Sequence, residues 1–393
     1  MRKILLVDIM AGKPSLYRTV PLALLKLSTF YKNNGDDVKC CTPGTIPASF
    51  EPDIICFSCI FIFKIGLELG YIKGFIKKFP KAKIRVGGIS PTLKADIFRK
   101  HLGDNIEICK GIDDEIENLT PDWSLVPMAA SYGFTSRGCN RKCPWCVVPI
   151  VEGKVKLVDG WERQIGPQKL FKAYDNNILA TSPEWMESVM AEIKKQKKKI
   201  DFNQGMDCRL FAKHEGFHRI FKEYEHSFEI IRFGYDSNNL KTHVMDTVRI
   251  MKQELKIHKQ FTWYMLYGNG ETVEDFWEKL ETIFQYRGHS IKPMRFKDLE
   301  TGKYRCHGWC DHFANYMTFV GGMTGLIQHN MHRYGLFGRD VEEFKRLIFM
   351  IGKNLHRIKR AFPKKDFQIK PKHYDFIRGV AEGKIKTLEG IEY

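Results

Sequence analysis

The chain has 393 residues, a length that suits two or three domains with sizeable cores. Because 43% of the residues are hydrophobic and 13% are aromatic, the composition excludes a mainly disordered chain. Sixty-three Lys and Arg against 46 Asp and Glu give a formal net charge of +17, which favours a polyanionic partner such as nucleic acid. A general overuse of lysine explains the same excess without such a partner.

The apolar segments predict where the protein resides. The longest of them, residues 54–63, is about half of the ~20 residues that cross a bilayer, so no membrane partner is expected. The basic start resembles a signal peptide, but its apolar run stops at Asp8 and no small-residue cleavage site follows. We therefore expect a first β-strand here and a cytoplasmic protein.

The first ~120 residues alternate strand-like and helix-like segments. Helices are predicted at 20–32 and 67–79, and strands at 3–8, 38–42, 53–60, 83–87 and 106–110. Such alternation predicts an α/β domain with a doubly wound, Rossmann-like parallel sheet, which we assign to residues 1–124.

A second alternation follows the linker around Pro121. Its clearest helix is predicted at 183–199, where Ser182 is a good N-cap and Pro183 suits the first helical position. Strands are predicted at 132–136, 177–180, 200–203, 229–233 and 262–266. The repeats predict a partial (β/α)6 barrel over residues 125–292, with reactive groups at the carboxyl ends of the strands. Residues 293–393 are predicted to be mainly helical.

Three cysteines, Cys139, Cys143 and Cys146, follow the first predicted barrel strand with C-x3-C-x2-C spacing. Soft thiolates select zinc, copper(I) or iron–sulfur clusters. A structural zinc site needs a fourth ligand, yet the next His or Cys is Cys208, more than 60 residues further on. The spacing therefore favours an iron–sulfur cluster with one open iron. A zinc knuckle and cysteines without a metal are the alternatives.

This motif, with Trp145 before its last cysteine, resembles the radical S-adenosylmethionine (SAM) superfamily. The resemblance implies that Cys139, Cys143 and Cys146 bind a [4Fe–4S] cluster whose fourth iron chelates SAM. It further implies reductive cleavage of SAM to a 5′-deoxyadenosyl radical. The electron would come from an external one-electron reductant of the flavodoxin or ferredoxin type.

Other segments resemble SAM-contacting positions of the family. They lie beside the predicted barrel strands, and Asp236 stands where the family's Gly-x-Glu-Ser pattern has Glu. Each segment is also explained as an ordinary turn. The residues that the resemblance implies as cofactor contacts are Trp145, Tyr174, Asp175, Asn177, Asp207, Arg209, Asp236, Ser237, Gly268 and Gly270.

The first domain resembles the cobalamin-binding domain of class B radical SAM enzymes, in the segment Pro21–Leu27 and in Gly87–Thr92. The resemblance implies that Gly87, Gly88 and Thr92 contact cobalamin. The loops at 9–17, 58–64 and 88–92 should then face the barrel mouth. The Asp-x-His-x-x-Gly signature is absent, so a bound cobalamin and a scaffold without one are both retained.

The C-terminal region carries Cys306, His307, Cys310 and His312. Two cysteines and two histidines could ligate a second metal, but an interior cysteine pair explains them equally well. A thiol could instead donate hydrogen to a substrate radical. The candidate catalytic residues are therefore Cys306, Cys310 and Tyr267.

The first hypothesis is a radical SAM enzyme with a cobalamin-type domain that methylates or rearranges an unactivated carbon. A second hypothesis omits cobalamin, and the radical then acts on a nucleic acid base or a peptide. A third is a basic nucleic-acid-binding protein with a structural metal site. In the first two, residues 293–393 cap the substrate.

Overall fold

The computed structural model describes residues 1–9, 20–125, 127–284, 286, 289–296 and 298–300. Cys306, Cys310 and most of the region predicted to be mainly helical, from residue 301 onward, lie outside the described residues. The chain divides into two compact units, the first with Met1–Met206 and Arg219–Glu229, the second with Asp207–His218 and Ile230–Lys297. The domain boundaries predicted after residues 124 and 292 stay predictions.

Five strands form the first sheet of the first unit. They are β1 (Lys3–Val7), β2 (Asp37–Cys41), β3 (Ile54–Ser58), β4 (Lys83–Gly87) and β5 (Ile106–Cys109). All neighbours are parallel, and their order is β2-β1-β3-β4-β5. The central strands β1 and β3 are almost entirely buried, as expected for a parallel sheet that is covered on both faces.

Helices cover both faces of this sheet, which confirms the doubly wound arrangement. They are α1 (Leu22–Asn33), α2 (Ile65–Lys78), α3 (Ile89–Leu93), α4 (Ala95–Leu102) and α5 (Asp114–Glu117). Ile72 of α2 and Phe98 of α4 belong to the core on one face. Leu24 of α1 and Ile116 of α5 belong to the core on the other face.

The first unit also contains a three-stranded parallel sheet and a hairpin. The strands are β6 (Ser131–Gly133), β7 (Ser136–Arg137), β8 (Lys156–Leu157), β9 (Leu170–Ala173) and β10 (Lys199–Phe202), and the helices are α6 (Val148–Val151) and α7 (Pro183–Lys195). The sheet has the order β10-β9-β6, and β7 pairs antiparallel with β8.

The prediction of a strand at 177–180 is wrong. The strand is β9, seven residues earlier, and Ile178–Ala180 forms a short 3-10 helix. Ile178 and Leu179 are buried within that turn, and a run of so few apolar residues does not distinguish a strand from a turn. As a result, Tyr174 follows the second strand of this sheet instead of preceding it.

The helix predicted at 183–199 is confirmed, with an earlier end. The side chain of Ser182 accepts a hydrogen bond from the backbone N–H of Trp185 and caps α7, and Pro183 is the first helical residue. The helix ends at Lys195, and Lys197 has a left-handed backbone with φ of 53°. The chain can therefore turn directly into β10.

The elements of the second unit are α8 (Cys208–Lys213), β12 (Ile231–Gly234), α10 (Lys241–Arg249), β13 (Phe261–Tyr267), α11 (Val273–Phe284) and β14 (His289–Arg295), while β11 (Met206–Asp207) and α9 (Glu215–Glu223) each have residues in both units. The sheet has the order β11-β12-β13-β14, in which β12, β13 and β14 are parallel. Parallel sheets in a mixed α/β chain are thus confirmed. The (β/α)6 barrel itself stays a prediction.

No helix in the described part of the chain is long and apolar enough to span a membrane.

Glu68 is a buried acidic residue in the first turn of α2, with 0% of its surface exposed. Burial raises the pKa of Glu68 to about 7, although the Ser90 hydroxyl, the Phe61 amide and Lys64 partly oppose the shift. The protein therefore holds this side chain as a neutral acid below about pH 7.

We predict that the Glu68→Gln variant reduces the pH dependence of stability. An unfolded Glu titrates near pH 4.3, so between about pH 4.3 and about pH 7 only the native state holds this proton. Stability should therefore fall by up to about 3 kcal/mol as the pH rises through this window, and Gln should abolish that contribution. Urea unfolding at several pH values measures it. The exposed Glu51→Gln change is the control, and equal pH dependence in wild type and Glu68→Gln would contradict the prediction.

Candidate cofactor sites

The cysteine loop begins on a backbone turn that only glycine fits. Gly138 has φ of 76°, and a Cβ atom there would lie 2.2 Å from the carbonyl oxygen of Lys154. The next residue, Cys139, donates its backbone N–H to the carbonyl oxygen of Gly153 at 3.1 Å. The two sides of the β7–β8 hairpin are thus drawn together at the point where the three-cysteine segment starts.

The three thiols of this loop are each partly exposed. The backbone N–H of Arg141 lies 3.4 Å from Sγ of Cys139, and Cys146 donates its N–H to the carbonyl oxygen of Cys143 at 3.0 Å. Three thiols with an amide directed at one sulfur are a donor set that fits an iron–sulfur cluster. Among the described side chains, however, no three Cys, His, Asp or Glu converge on one point as metal ligands. The cysteine ligands stay a prediction.

Asp175 organises the strand that leads to the cysteines. Its carboxylate is 1% exposed and accepts backbone N–H bonds from Thr135 at 3.0 Å and from Ser136 at 2.6 Å. The hydroxyls of both residues also donate to it, each at 2.6 Å. Burial raises the pKa of Asp175, and these four hydrogen bonds oppose the shift. Asp175, which was predicted as a SAM contact, therefore accepts hydrogen bonds from the segment that leads to Cys139.

A chain of ion pairs runs from α1 to the same loop. Lys26 lies next to Glu117 at 3.3 Å, and Glu117 accepts two hydrogen bonds from Arg137 at 2.8 and 3.0 Å. Arg137 also donates to Glu152 at 3.2 Å, and Glu152 accepts the backbone N–H of Gly138 at 2.9 Å. These side chains thereby fix the start of the cysteine loop to the first sheet's helices.

Burial and the neighbouring charges shift the pKa values of the residues in this row of ion pairs. Burial lowers the pKa of Lys26 to about 8. Burial alone would raise the pKa of Glu117, but Arg137 and Lys26 lower it overall. Sequence reasoning missed Glu117 and Glu152. Lys26, which lies within the apolar stripe of α1, could have indicated that an acidic residue is nearby, because a buried lysine requires an acidic partner.

Aromatic residues of the predicted SAM segment pack beside this network. Tyr174 stacks on Tyr132 with a 5.3 Å separation of ring centroids, and burial raises its pKa to about 12. Asn177 is 5% exposed, whereas Trp145 is half-buried in the turn between the last two cysteines. Tyr174 is therefore a partly buried ring that packs against the core, and both Tyr174 and Trp145 keep part of their surface exposed.

Two predicted SAM contacts pair with each other at the start of the second unit. Asp207 caps α8 by accepting the backbone N–H of Arg209 at 3.0 Å. The Arg209 guanidinium donates to both carboxylate oxygens of Asp207, at 2.7 and 2.9 Å. The pair is partly exposed at Arg209, with 29% of its side chain accessible.

Asp236 follows β12, and a buried cation lies near it. Burial raises the pKa of Asp236, while the charge of Lys279 opposes the shift. Lys279 is fully buried and lies 2.7 Å from both carboxylate oxygens of Glu271, and it also donates to the carbonyl oxygen of Leu266. Lys279 was not predicted from the sequence, because it lies in α11 and not beside a strand end.

The remaining predicted residues of the second unit form turns and core. Ser237 accepts the backbone N–H of Asn239 at 3.3 Å and caps a short 3-10 helix. Gly268 and Gly270 have φ of 75° and 76°, so the turn after β13 needs glycine at both positions. Tyr267 is fully buried and packs on Phe276 with ring centroids 4.9 Å apart. Its catalytic role stays a prediction.

The predicted cobalamin contacts meet at the carboxyl edge of the first sheet. Gly88 has φ of 109°, and a Cβ atom there would lie 2.4 Å from the carbonyl oxygen of Cys59. Thr92 donates its hydroxyl to the carbonyl oxygen of Gly88 at 2.7 Å and accepts the N–H of Gly111 at 2.9 Å. Gly87 ends β4. The loops after β3, β4 and β5 are therefore held against one another.

Comparison with solved structures finds the cobalamin-dependent S-adenosylmethionine radical enzyme OxsB, in a structure with aqua-cobalamin bound. The TM-score is 0.56 and the sequence identity is 12%, over 97% of this chain and 71% of that chain. The chain shares the fold of a cobalamin-dependent radical SAM enzyme. At this identity the likeness concerns the fold, and it confirms the resemblance found in the sequence at that level.

No family model and no curated protein matches the sequence. The comparison with OxsB gives no support to a nucleic-acid partner, and the cytoplasmic location stays a prediction.

We predict that the Asp175→Asn variant destabilises the first unit. One amide group cannot accept at both positions where the carboxylate accepts, so at least one donor of Thr135 or Ser136 loses its partner. The expected loss is about 2–4 kcal/mol in the free energy of unfolding, measured with urea. The exposed Asp104→Asn change should have little effect, and an equally small effect at Asp175 would contradict the role given to this carboxylate.

Proposed function

We propose that this protein is a radical SAM enzyme with a corrinoid-type first sheet, and that it methylates or rearranges an unactivated carbon. A [4Fe–4S] cluster would supply the electron that cleaves SAM to a 5′-deoxyadenosyl radical, and a corrinoid would supply a methyl carrier. The observation that carries the proposal is the loop with Cys139, Cys143 and Cys146, which occurs in a fold shared with a cobalamin-dependent radical SAM enzyme.

The cysteine loop would hold the cluster. Its three thiols are the ligands, and the fourth iron would remain open because the motif supplies no further cysteine or histidine. Asp175, Glu152 and Gly138 act on the backbone at the start of the loop, so their role is to position Cys139. The amide of Arg141 would donate to a ligand sulfur, an arrangement that raises the reduction potential of clusters.

The strand ends of the second unit would bind SAM. SAM carries an ammonium group, a carboxylate and ribose hydroxyls, so its site needs both acidic and basic partners. Arg209 offers a partly exposed guanidinium to a carboxylate, and Asp236 offers a buried acid that interacts with Lys279. The glycine turn after β13 would offer backbone groups that no side chain covers at Gly268 and Gly270, which suits close approach of a flat adenine ring.

The external reductant would be a small acidic electron carrier of the flavodoxin or ferredoxin type. The formal net charge of +17 supports this part of the proposal, because complementary charge speeds the encounter of two proteins. The same charge would make the encounter sensitive to ionic strength.

We predict that replacing Cys139, Cys143 and Cys146 together by alanine abolishes cluster assembly. After anaerobic reconstitution, the wild type should bind about four iron atoms per chain and the triple variant almost none. Iron analysis and the visible spectrum report assembly, and chromatography of 5′-deoxyadenosine reports SAM cleavage. The matched control is Cys40→Ala, another partly exposed cysteine, which should retain both signals.

Two outcomes would contradict this proposal. One is a triple variant that keeps its iron content and its yield of 5′-deoxyadenosine. The other is a colourless wild-type protein with one tightly held zinc, which would favour a structural metal site instead.

We also predict that Lys279→Met weakens SAM binding by about tenfold or more, because Asp236 and Glu271 then lose the buried cation between them. Equilibrium dialysis of SAM against the reconstituted protein measures the effect, and circular dichroism checks the fold. The control is Lys241→Met, which removes an exposed ion pair with Glu278 and should change SAM binding little. Unchanged SAM affinity in a folded Lys279→Met protein would contradict a SAM site at these strand ends.

A further inference from the structure

The β7–β8 hairpin and the cysteine loop form one continuous piece of the first unit. The segment between the two paired strands, residues 138–155, contains all three cysteines and α6. The backbone N–H of Cys139 donates to the carbonyl oxygen of Gly153 at 3.1 Å, and that of Val155 donates to Oδ1 of Asn140 at 3.4 Å. The residues that enter β8 are therefore held directly beside the first cysteine.

Basic side chains are concentrated in this piece of the chain. Residues 139–157 contain four basic residues and one acidic residue, a net charge of +3 over 19 residues, against +17 over all 393. The acidic residue, Glu152, is 13% exposed, and its carboxylate is paired with Arg137. The segment therefore offers its positive charge to the solvent without an exposed acid of its own. The exposed cations are Lys142, Lys154 and Lys156.

Two large apolar side chains are exposed in the same segment. Ile150 of α6 is 67% exposed and Leu157 of β8 is 51% exposed. Apart from Met1, they are the most exposed large apolar side chains in the described part of the chain. Exposed apolar groups with charged residues around them are typical of a surface that binds another protein. We call Lys142, Ile150, Lys154, Lys156 and Leu157 the hairpin surface.

The position and chemistry of the hairpin surface select its partner. The three thiols of the loop are partly exposed in the same segment, so a protein bound here lies next to them. Electron-transfer partners form small interfaces, in which complementary charge guides the encounter. Three exposed lysines require an acidic partner. Ile150 and Leu157 favour a protein over a nucleic acid, because aliphatic side chains offer no ring on which a base can stack.

We infer that the hairpin surface is the docking site of the acidic one-electron carrier that reduces the cluster. The inference rests on the proposed function and deepens it, because it assigns the partner to named residues of this chain. The lysines attract acidic side chains of the carrier, and Ile150 and Leu157 exclude water from the contact. One electron passes from the carrier to the cluster, so the carrier is oxidised, the cluster is reduced and no atom is transferred.

Binding and reduction are measured separately on the full-length reconstituted protein. Surface plasmon resonance against an immobilised flavodoxin, and in a second arm against a ferredoxin, gives Kd, and stopped-flow absorbance gives the rate of cluster reduction. Combining Lys142→Glu, Lys154→Glu and Lys156→Glu should raise Kd about tenfold or more and slow reduction by the carrier to a similar extent. Reduced methyl viologen, a small cation that needs no docking surface, should reduce this variant at least as fast as the wild type.

The apolar part of the surface has its own variant, and each set has a matched control. Ile150→Ser with Leu157→Ser should raise Kd several-fold at both low and high salt, because ions do not screen apolar contacts. Ile97→Ser, at an exposed position of α4, is the control for this pair. The charge-matched control reverses three other exposed lysines to glutamate and should change Kd less than about threefold. These lysines are Lys73, Lys77 and Lys81.

The possible results separate the docking surface from the wider proposal. Wild-type Kd in the hairpin lysine variant, or equal weakening in the charge-matched control, overturns the surface. Slower reduction of the hairpin lysine variant by methyl viologen would assign these lysines to the structure of the cluster loop and would also overturn it. A wild type that methyl viologen reduces but that binds neither carrier overturns this inference and leaves the proposed function intact. A wild type that assembles no cluster overturns both. If the lysine variant does not assemble a cluster, the Ile150 and Leu157 pair decides in the same way.

Discussion

The carboxylate of Asp175 carries the arrangement on which the candidate cluster site depends. It accepts four hydrogen bonds from two adjacent residues, Thr135 and Ser136, and it does so in a site from which water is almost excluded. Removing a carboxylate from water is costly unless its oxygens are fully satisfied. Here that requirement fixes both backbone and side chains of the segment that precedes Cys139, so one buried charge determines where the cysteine loop begins.

The ion chain of Lys26, Glu117, Arg137 and Glu152 adds a second constraint on the same loop. Each member is largely buried, and each interior member has a partner of opposite charge on both sides. Arg137 also covers the ring of Phe134, with 3.3 Å between its guanidinium carbon and the ring centroid. Buried ion pairs add little net stability, but removing one partner leaves the other charge buried without a counter-charge, which is costly. Such a chain therefore favours one geometry of the loop over its alternatives.

The sequence predicted those features that leave a local pattern. The parallel strands β1 and β3 are continuous apolar runs, α7 has both its cap and its apolar stripe, and the cysteine spacing lies within eight residues. Contacts between distant residues left no such pattern. Lys26 and Glu117 are 91 positions apart, and Asp175 and Thr135 are 40 apart, so their partners could not be inferred from spacing. The short strand β9 was missed because Lys172 interrupts its apolar residues.

Gly138 illustrates how a residue without a side chain can limit what a protein tolerates. The space beside its α-carbon is filled by main-chain atoms of Lys154, which cannot rotate away as a flexible side chain would. Even a single methyl group would therefore have to separate the two strands of the hairpin. In a library covering every substitution, this position should be as intolerant as a metal ligand, although it provides no ligand atom.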